Sequence, residues 1–193
     1  MRLIGLTKDK LDSVQLELYN AIAFGPRAAG TQHFRLVDET GALTGPFGIM
    51  LHLPALGRPL QELGAAIRYR TSLSGRVREI AILSVAAATD SEFERYAHER
   101  IGRAVGLADE ELSALACGEF KSSDQQEEAA YRLCTLLNEG RLPLTDEVYT
   151  ELREVLGETT LIELAVLVGY YRTLSQLLHV FDVGITSKAS IGP

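Results

Sequence analysis

At 193 residues, 46% of them hydrophobic, the chain can bury a sizeable core, and its length is that of one domain. A formal net charge of −7 argues against a grip on phosphate backbones, which needs clustered Lys and Arg, so no nucleic-acid partner is expected. The two cysteines, Cys117 and Cys134, show neither CxxC nor a zinc spacing, which excludes a disulfide framework.

The first residues, MRLIGLTKDK, lack the apolar stretch of a secretion signal before Lys8, Asp9 and Lys10 interrupt it. The longest apolar run, LIELAVLVGYY, contains Glu163 and falls short of the roughly 20 residues that a membrane span needs. A cytoplasmic protein with no membrane partner is the expectation. Helical periodicity then dominates the chain. A first helix is read over 10–24 and ends at FGPRAAG, whose Gly25 and Pro26 stop it. The segment 38–48, DETGALTGPFG, reads as a loop and has no phosphate-binding spacing. From LPALGRPLQELGAAIRYRT onward helices follow in quick succession, with Ser74, Ser123 and Thr145 as N-caps and Gly106, Gly140 and Gly157 as stops. The sum is about seven or eight helices and no sheet, an all-α single domain over 1–193 in which 1–44 forms an N-terminal helix and a turn-rich segment.

Two helices, over 78–88 and 160–181, are apolar around most of their circumference and belong inside a bundle or a subunit interface. A charge there needs a partner or a task. Glu79 sits in the first turns of the earlier one, with Arg76 three residues before it as a structural ion-pair partner. The next helix, read over 91–105, carries SEFERYAHER. On a wheel of 100° per residue Phe93, Ala97, Ile101 and Ala104 face inward, Glu92, Arg95, Glu99 and Gly102 face away, and Glu94 and His98 lie at the border.

A carboxylate four residues ahead of an imidazole is close enough to interact. Such a partner favours the protonated ring while burial opposes it, which brings the imidazole near working pH, as proton transfer requires. The structural alternatives are a capping box formed by Ser91 and Glu94, and an interior histidine with no chemical task. Antiparallel packing across the short break ATDS would bring Glu79 toward His98. The three side chains are also legitimate metal ligands, but no HxxH or ExxH pattern accompanies them, and no metal is assigned.

The stretch LSGRVREIAILSVAAATDSEFERYAHERIGRAVGLADEELSAL resembles the core motif of the carboxymuconolactone decarboxylase family, which includes the alkylhydroperoxidase D-like proteins. GPFGIMLHLPALGRPLQELGAAIRY before it and LIELAVLVGYYRTLSQLLHVFDV after it extend the likeness over 45–183. The resemblance implies an alkylhydroperoxidase D-like helical bundle assembled as a homotrimer or homohexamer. In the peroxidase branch the active residues are a Glu, a CxxC and a His. Glu79 and His98 match the ends of that pattern, while Ser91 and Glu94 stand at the two cysteine positions, which removes dithiol peroxidase chemistry. The Glu-x-x-x-His of the decarboxylase branch is matched by Glu94 and His98, although Arg95 stands where relatives without cysteines often carry Trp.

The resemblance thus implies a cofactor-free lyase or isomerase acting on a small organic acid or lactone. His98 would be the general acid or base, with Glu94 and Glu79 as its partners. His52, Tyr170 and His179 are candidates for lining the substrate site, with core packing or a subunit contact as the structural alternative. A non-catalytic helical oligomer that binds a ligand or partner is the competing reading.

Overall fold

A computed structural model describes residues 2–29 and 31–185. Among these residues there are eight α-helices, two short 3₁₀ turns and a single isolated bridge between Val37 and Leu43, and no strand. The chain divides into two compact units, Met1–Arg70 with Gln176–Pro193, and Thr71–Ser175. No described helix is long and apolar enough to cross a membrane.

The first unit contains α1 (Ser13–Ala23), α2 (Gly45–His52) and α3 (Pro54–Tyr69). Asp12 opens α1 with a closed capping box, accepting from the Gln15 amide while the Gln15 side chain accepts from the Asp12 amide. The helix α2 begins inside the segment read as a loop. Its first turn holds Pro46, whose ring pre-sets the helical φ, and Phe47, Ile49, Met50 and Leu51 are buried. Burial therefore stabilises a helix that its turn-forming residues conceal. Gly57 lets α3 pass close to α2, because a Cβ there would stand 2.3 Å from the Met50 carbonyl oxygen.

The second unit is built around α4 (Gly75–Ala88), which packs against α5 (Glu92–Ala104), α6 (Asp109–Cys117) and α7 (Gln125–Asn138). Ser74 caps α4 by accepting from the Val77 amide at 3.1 Å. From Val77 to Ala86 nearly every residue is buried, as the all-round apolar pattern requires. Ile80 and Leu83 share a core with Leu107, Leu112, Leu115 and Phe120, and each such aliphatic side chain contributes about 1.5–3 kcal/mol by leaving water. The last helix, α8 (Asp146–Val180), is interrupted at Gly157, which has the left-handed φ of 75°. The expected stop is thus a break after which the helix resumes.

Two details of the second unit depart from the sequence reading. Asp124, not Ser123, caps α7, accepting from Gln126 and Glu127 amides. On α5 it is Gly102 that is buried and Ala104 that is exposed. A Cβ on Gly102 would meet Leu107 and Leu112 methyls at 3.1 Å, so the missing side chain admits α6 and the loop before it. The buried face of α5 is rotated toward Glu94 and His98 as a result.

Candidate active site

The connection between α4 and α5 is three residues long, and the Ser91 amide folds back to donate to the Ala86 carbonyl at 2.9 Å. So tight a turn leaves α4 and α5 antiparallel. At 1.5 Å per residue, Glu79 lies about 14 Å before the end of α4 and His98 about 9 Å after the start of α5. Folding α5 back along α4 brings the two helices together, and the long Glu79 side chain reaches the ring. His98 Nδ1 lies 2.6 Å from Glu79 Oε2, and His98 Nε2 lies 3.4 Å from Glu94 Oε2. Exposures of 0%, 3% and 5% for Glu79, Glu94 and His98 place all three beyond bulk solvent, deeper than the border position read from the wheel.

The imidazole is thus held by a carboxylate at each nitrogen. Burial alone would push the ring toward its neutral form, but the charge and hydrogen bond of Glu79, joined by Glu94, outweigh it and push the pKa up to about 9. An imidazolium between two carboxylates follows, donating from both nitrogens. Tyr171 on α8 stands edge-on to the His98 ring, with centroids 5.3 Å apart at 89°, and Tyr170 stands edge-on to Tyr171 at 5.2 Å.

Neither structural alternative for the carboxylates describes this arrangement. Arg76 pairs with Glu111 and Glu127 instead of Glu79. The arginine beside Glu79 is Arg78, whose Nε is 3.9 Å from Glu79 Oε1, too long for a hydrogen bond. Ser91 occupies the N-cap position of α5 but its hydroxyl accepts no amide, and Glu94 faces His98. Ser91 Oγ, Glu94 Oε1 and Glu79 Oε1 are buried with no hydrogen-bond partner in the protein.

The other sequence candidates lie elsewhere in the chain. His52 is exposed at the end of α2 in the first unit, its Nε2 3.2 Å from the Ile4 carbonyl oxygen. His179 is exposed in the last turn of α8, also in the first unit. Tyr170 packs edge-on against Tyr171, the ring that meets His98. Three neighbours of the cluster, Ser91, Arg78 and Tyr171, were not site candidates from sequence; the first read as a cap, and the others carried no motif. No group of three or more His, Cys, Asp and Glu among the described residues is arranged to hold a metal ion.

Residues 54–134 match the sequence model of the Carboxymuconolactone decarboxylase family. No curated protein sequence matches the chain. Among solved structures, a variant of the debrominase Bmp8 in complex with 2,3,4-tribromopyrrole superposes with a TM-score of 0.71 at 14% identity, over 97% of this chain and 92% of that one. The apo form of the same debrominase gives 0.70 at 14% identity, over 95% and 91%. The likeness at this identity is one of fold, and the fold is an alkylhydroperoxidase D-like arrangement of helices.

Proposed function

We propose, for a chain that over residues 54–134 is a carboxymuconolactone decarboxylase family sequence without the CxxC pair, a cofactor-free acid–base enzyme acting on a small organic acid or lactone. The reaction is decarboxylation or isomerisation, with His98 as the proton carrier and Glu94 and Glu79 as its partners. The observation that carries this reading is the buried imidazole held between two carboxylates, 2.6 Å from one and 3.4 Å from the other.

In a decarboxylation the electron pair of the C–CO₂ bond moves into a conjugated carbonyl, carbon dioxide leaves, and an enolate remains. The imidazolium then delivers its proton to the enolate carbon, from Nε2 directly or through Glu94. In an isomerisation the same pair removes a proton at one carbon and returns it at another. Glu79 fixes the ring through Nδ1 and keeps it charged, so a proton is present when the enolate forms.

Thiol chemistry has no support here. Ser91 and Glu94 hold the two cysteine positions, and burial pushes the Cys134 thiol up to about 12, so it offers no thiolate. A fold neighbour crystallised with 2,3,4-tribromopyrrole supports a compact planar ring as the size of ligand. The reading includes a cytoplasmic homotrimer or homohexamer. It is supported by an apolar face on α8 where Ile162 and Val166 are 65% and 43% exposed.

The test is a turnover screen of carboxylactones and related enol acids. In His98→Ala the rate is expected to fall by about 10²- to 10⁴-fold while circular dichroism stays native. Equal rates in wild type and variant would reject the enzyme.

A further inference from the structure

Four helix starts in this chain use their capping residues. Asp12, Ser74, Asp124 and Thr145 each accept from an amide two or three residues on. Ser91 precedes α5 in the same way, and Glu94 stands at the third helical position, so SEFE is a complete S-x-x-E box. The box is open. Ser91 Oγ takes no amide, the Ser91 amide donates to Ala86, and Glu94 turns Oε2 to His98. What remains is a pair of oxygens, Ser91 Oγ and Glu94 Oε1, on one side of the first turn of α5. Their residues are each 3% exposed, and neither atom has a partner.

The two atoms differ in what they ask of a ligand. The carboxylate oxygen only accepts, whereas the hydroxyl both donates and accepts. A carboxylate placed between them would set its lone pairs against Glu94. An ether or ketone oxygen would satisfy Ser91 and leave Glu94 unmet. A hydroxyl or enol oxygen meets both needs, giving its proton to Glu94 and accepting from Ser91. Residues three apart at a helix start have Cβ atoms about 5–6 Å apart, so one ligand oxygen can be reached by both side chains.

We propose that Ser91 Oγ and Glu94 Oε1 form a substrate-binding seat that selects a neutral hydroxyl or enol oxygen, and that Ser91 is a binding residue of this site. The assignment rests on the proposed function in that it places the reacting part of the substrate beside His98. It narrows the substrate class to organic acids and lactones that carry or form an enol.

The probes are α-hydroxybutenolide and its methyl ether, titrated calorimetrically into wild type and Ser91→Ala. Wild type is expected to bind the hydroxy compound at least tenfold more tightly than the ether, because only the former donates to Glu94. Ser91→Ala is expected to weaken the hydroxy compound about tenfold without lowering Tm, since the hydroxyl bonds nothing in the protein. A residue acting as a cap would instead lower Tm by roughly 2–4 °C on removal. Equal affinity for the two probes, no binding of either, or a Ser91→Ala variant with lower Tm and unaltered affinity would overturn the assignment. Lactone turnover lost in His98→Ala alongside equal binding by wild type and Ser91→Ala would remove the seat and leave the enzyme. Discrimination without any turnover would do the reverse.

Discussion

Two charged clusters start one helical turn apart on α4, at Arg76 and at Glu79. Arg76 spends every guanidinium nitrogen, binding Glu127 through Nε and Nη2 at 2.6 and 3.0 Å and Glu111 through Nη2 and Nη1 at 2.6 and 3.3 Å. Nη1 also donates to the Gly106 carbonyl. Glu127 accepts in addition from Ser122 Oγ, and Glu111 from the Ala108 amide. The cluster at Glu79 is as well placed on the same helix, yet Glu79 Oε1, Arg78 Nε, Glu94 Oε1 and Ser91 Oγ have no hydrogen-bond partner in the protein. An unmet buried polar atom costs about 1–3 kcal/mol, so one cluster consolidates the fold and the other withholds bonds that a ligand can make.

The sharpest way to test that contrast is to titrate stability with pH. His98 has its pKa raised from 6.5 unfolded to about 9 folded. Its contribution is therefore fully present below pH 6.5 and is lost as pH rises through about 9, a change on the order of 3 kcal/mol. The groups facing the ring are Glu79, Glu94 and Tyr171. Thermal melts from pH 6 to pH 10 should show Tm falling across that window. In Glu79→Gln, where the chief partner has lost its charge, the fall should flatten. A wild-type slope retained in the variant would mean that some other group titrates.

Arg76 provides the second comparison. The Glu127 carboxyl lies below its usual range because Arg76 hydrogen-bonds it, with burial opposing and Ser122 assisting. Arg76→Met removes the cation and leaves Glu127, 7% exposed, without its main partner. A loss of about 2–3 kcal/mol is expected in urea unfolding, with turnover per folded molecule unchanged. If turnover instead fell while stability held, the division between a structural and a chemical cluster would be wrong.

The residues differ in how far this division was legible beforehand. The all-α class and the buried α4 follow from apolar periodicity, and the approach of Glu79 to His98 follows from a short turn that folds α5 back along α4. Helix α2 escaped notice because Gly45, Pro46 and Gly48 signal a turn, while the burial that stabilises the helix is a property of the packed unit. The wheel places Gly102 on the outer face of α5, since nothing in it reveals that Leu107 of the following loop and Leu112 of α6 need that space. Ser91 could be recognised as a cap by its spacing, but only coordinates show that the bond is not made. Tyr171 and Tyr170 are neighbours in sequence, and which ring meets His98 depends on the rotation of α8.

The smallest effect sets two serines against each other. Ser122 Oγ donates to Glu127 Oε2 at 2.8 Å and accepts from the Asp124 amide at 3.1 Å, so it is satisfied on both sides. Ser122→Ala removes these two bonds and leaves a carboxylate oxygen still held by Arg76 Nη2 at 3.0 Å, which limits the penalty to about 1 kcal/mol. Ser91→Ala removes a hydroxyl of the same chemistry in a more buried position and should cost nothing. A buried serine would ordinarily be the more sensitive of the two, so the expected order in urea midpoints runs against burial. If Ser91→Ala proves the more destabilising, its hydroxyl has a partner inside the protein and the contrast between the two clusters disappears.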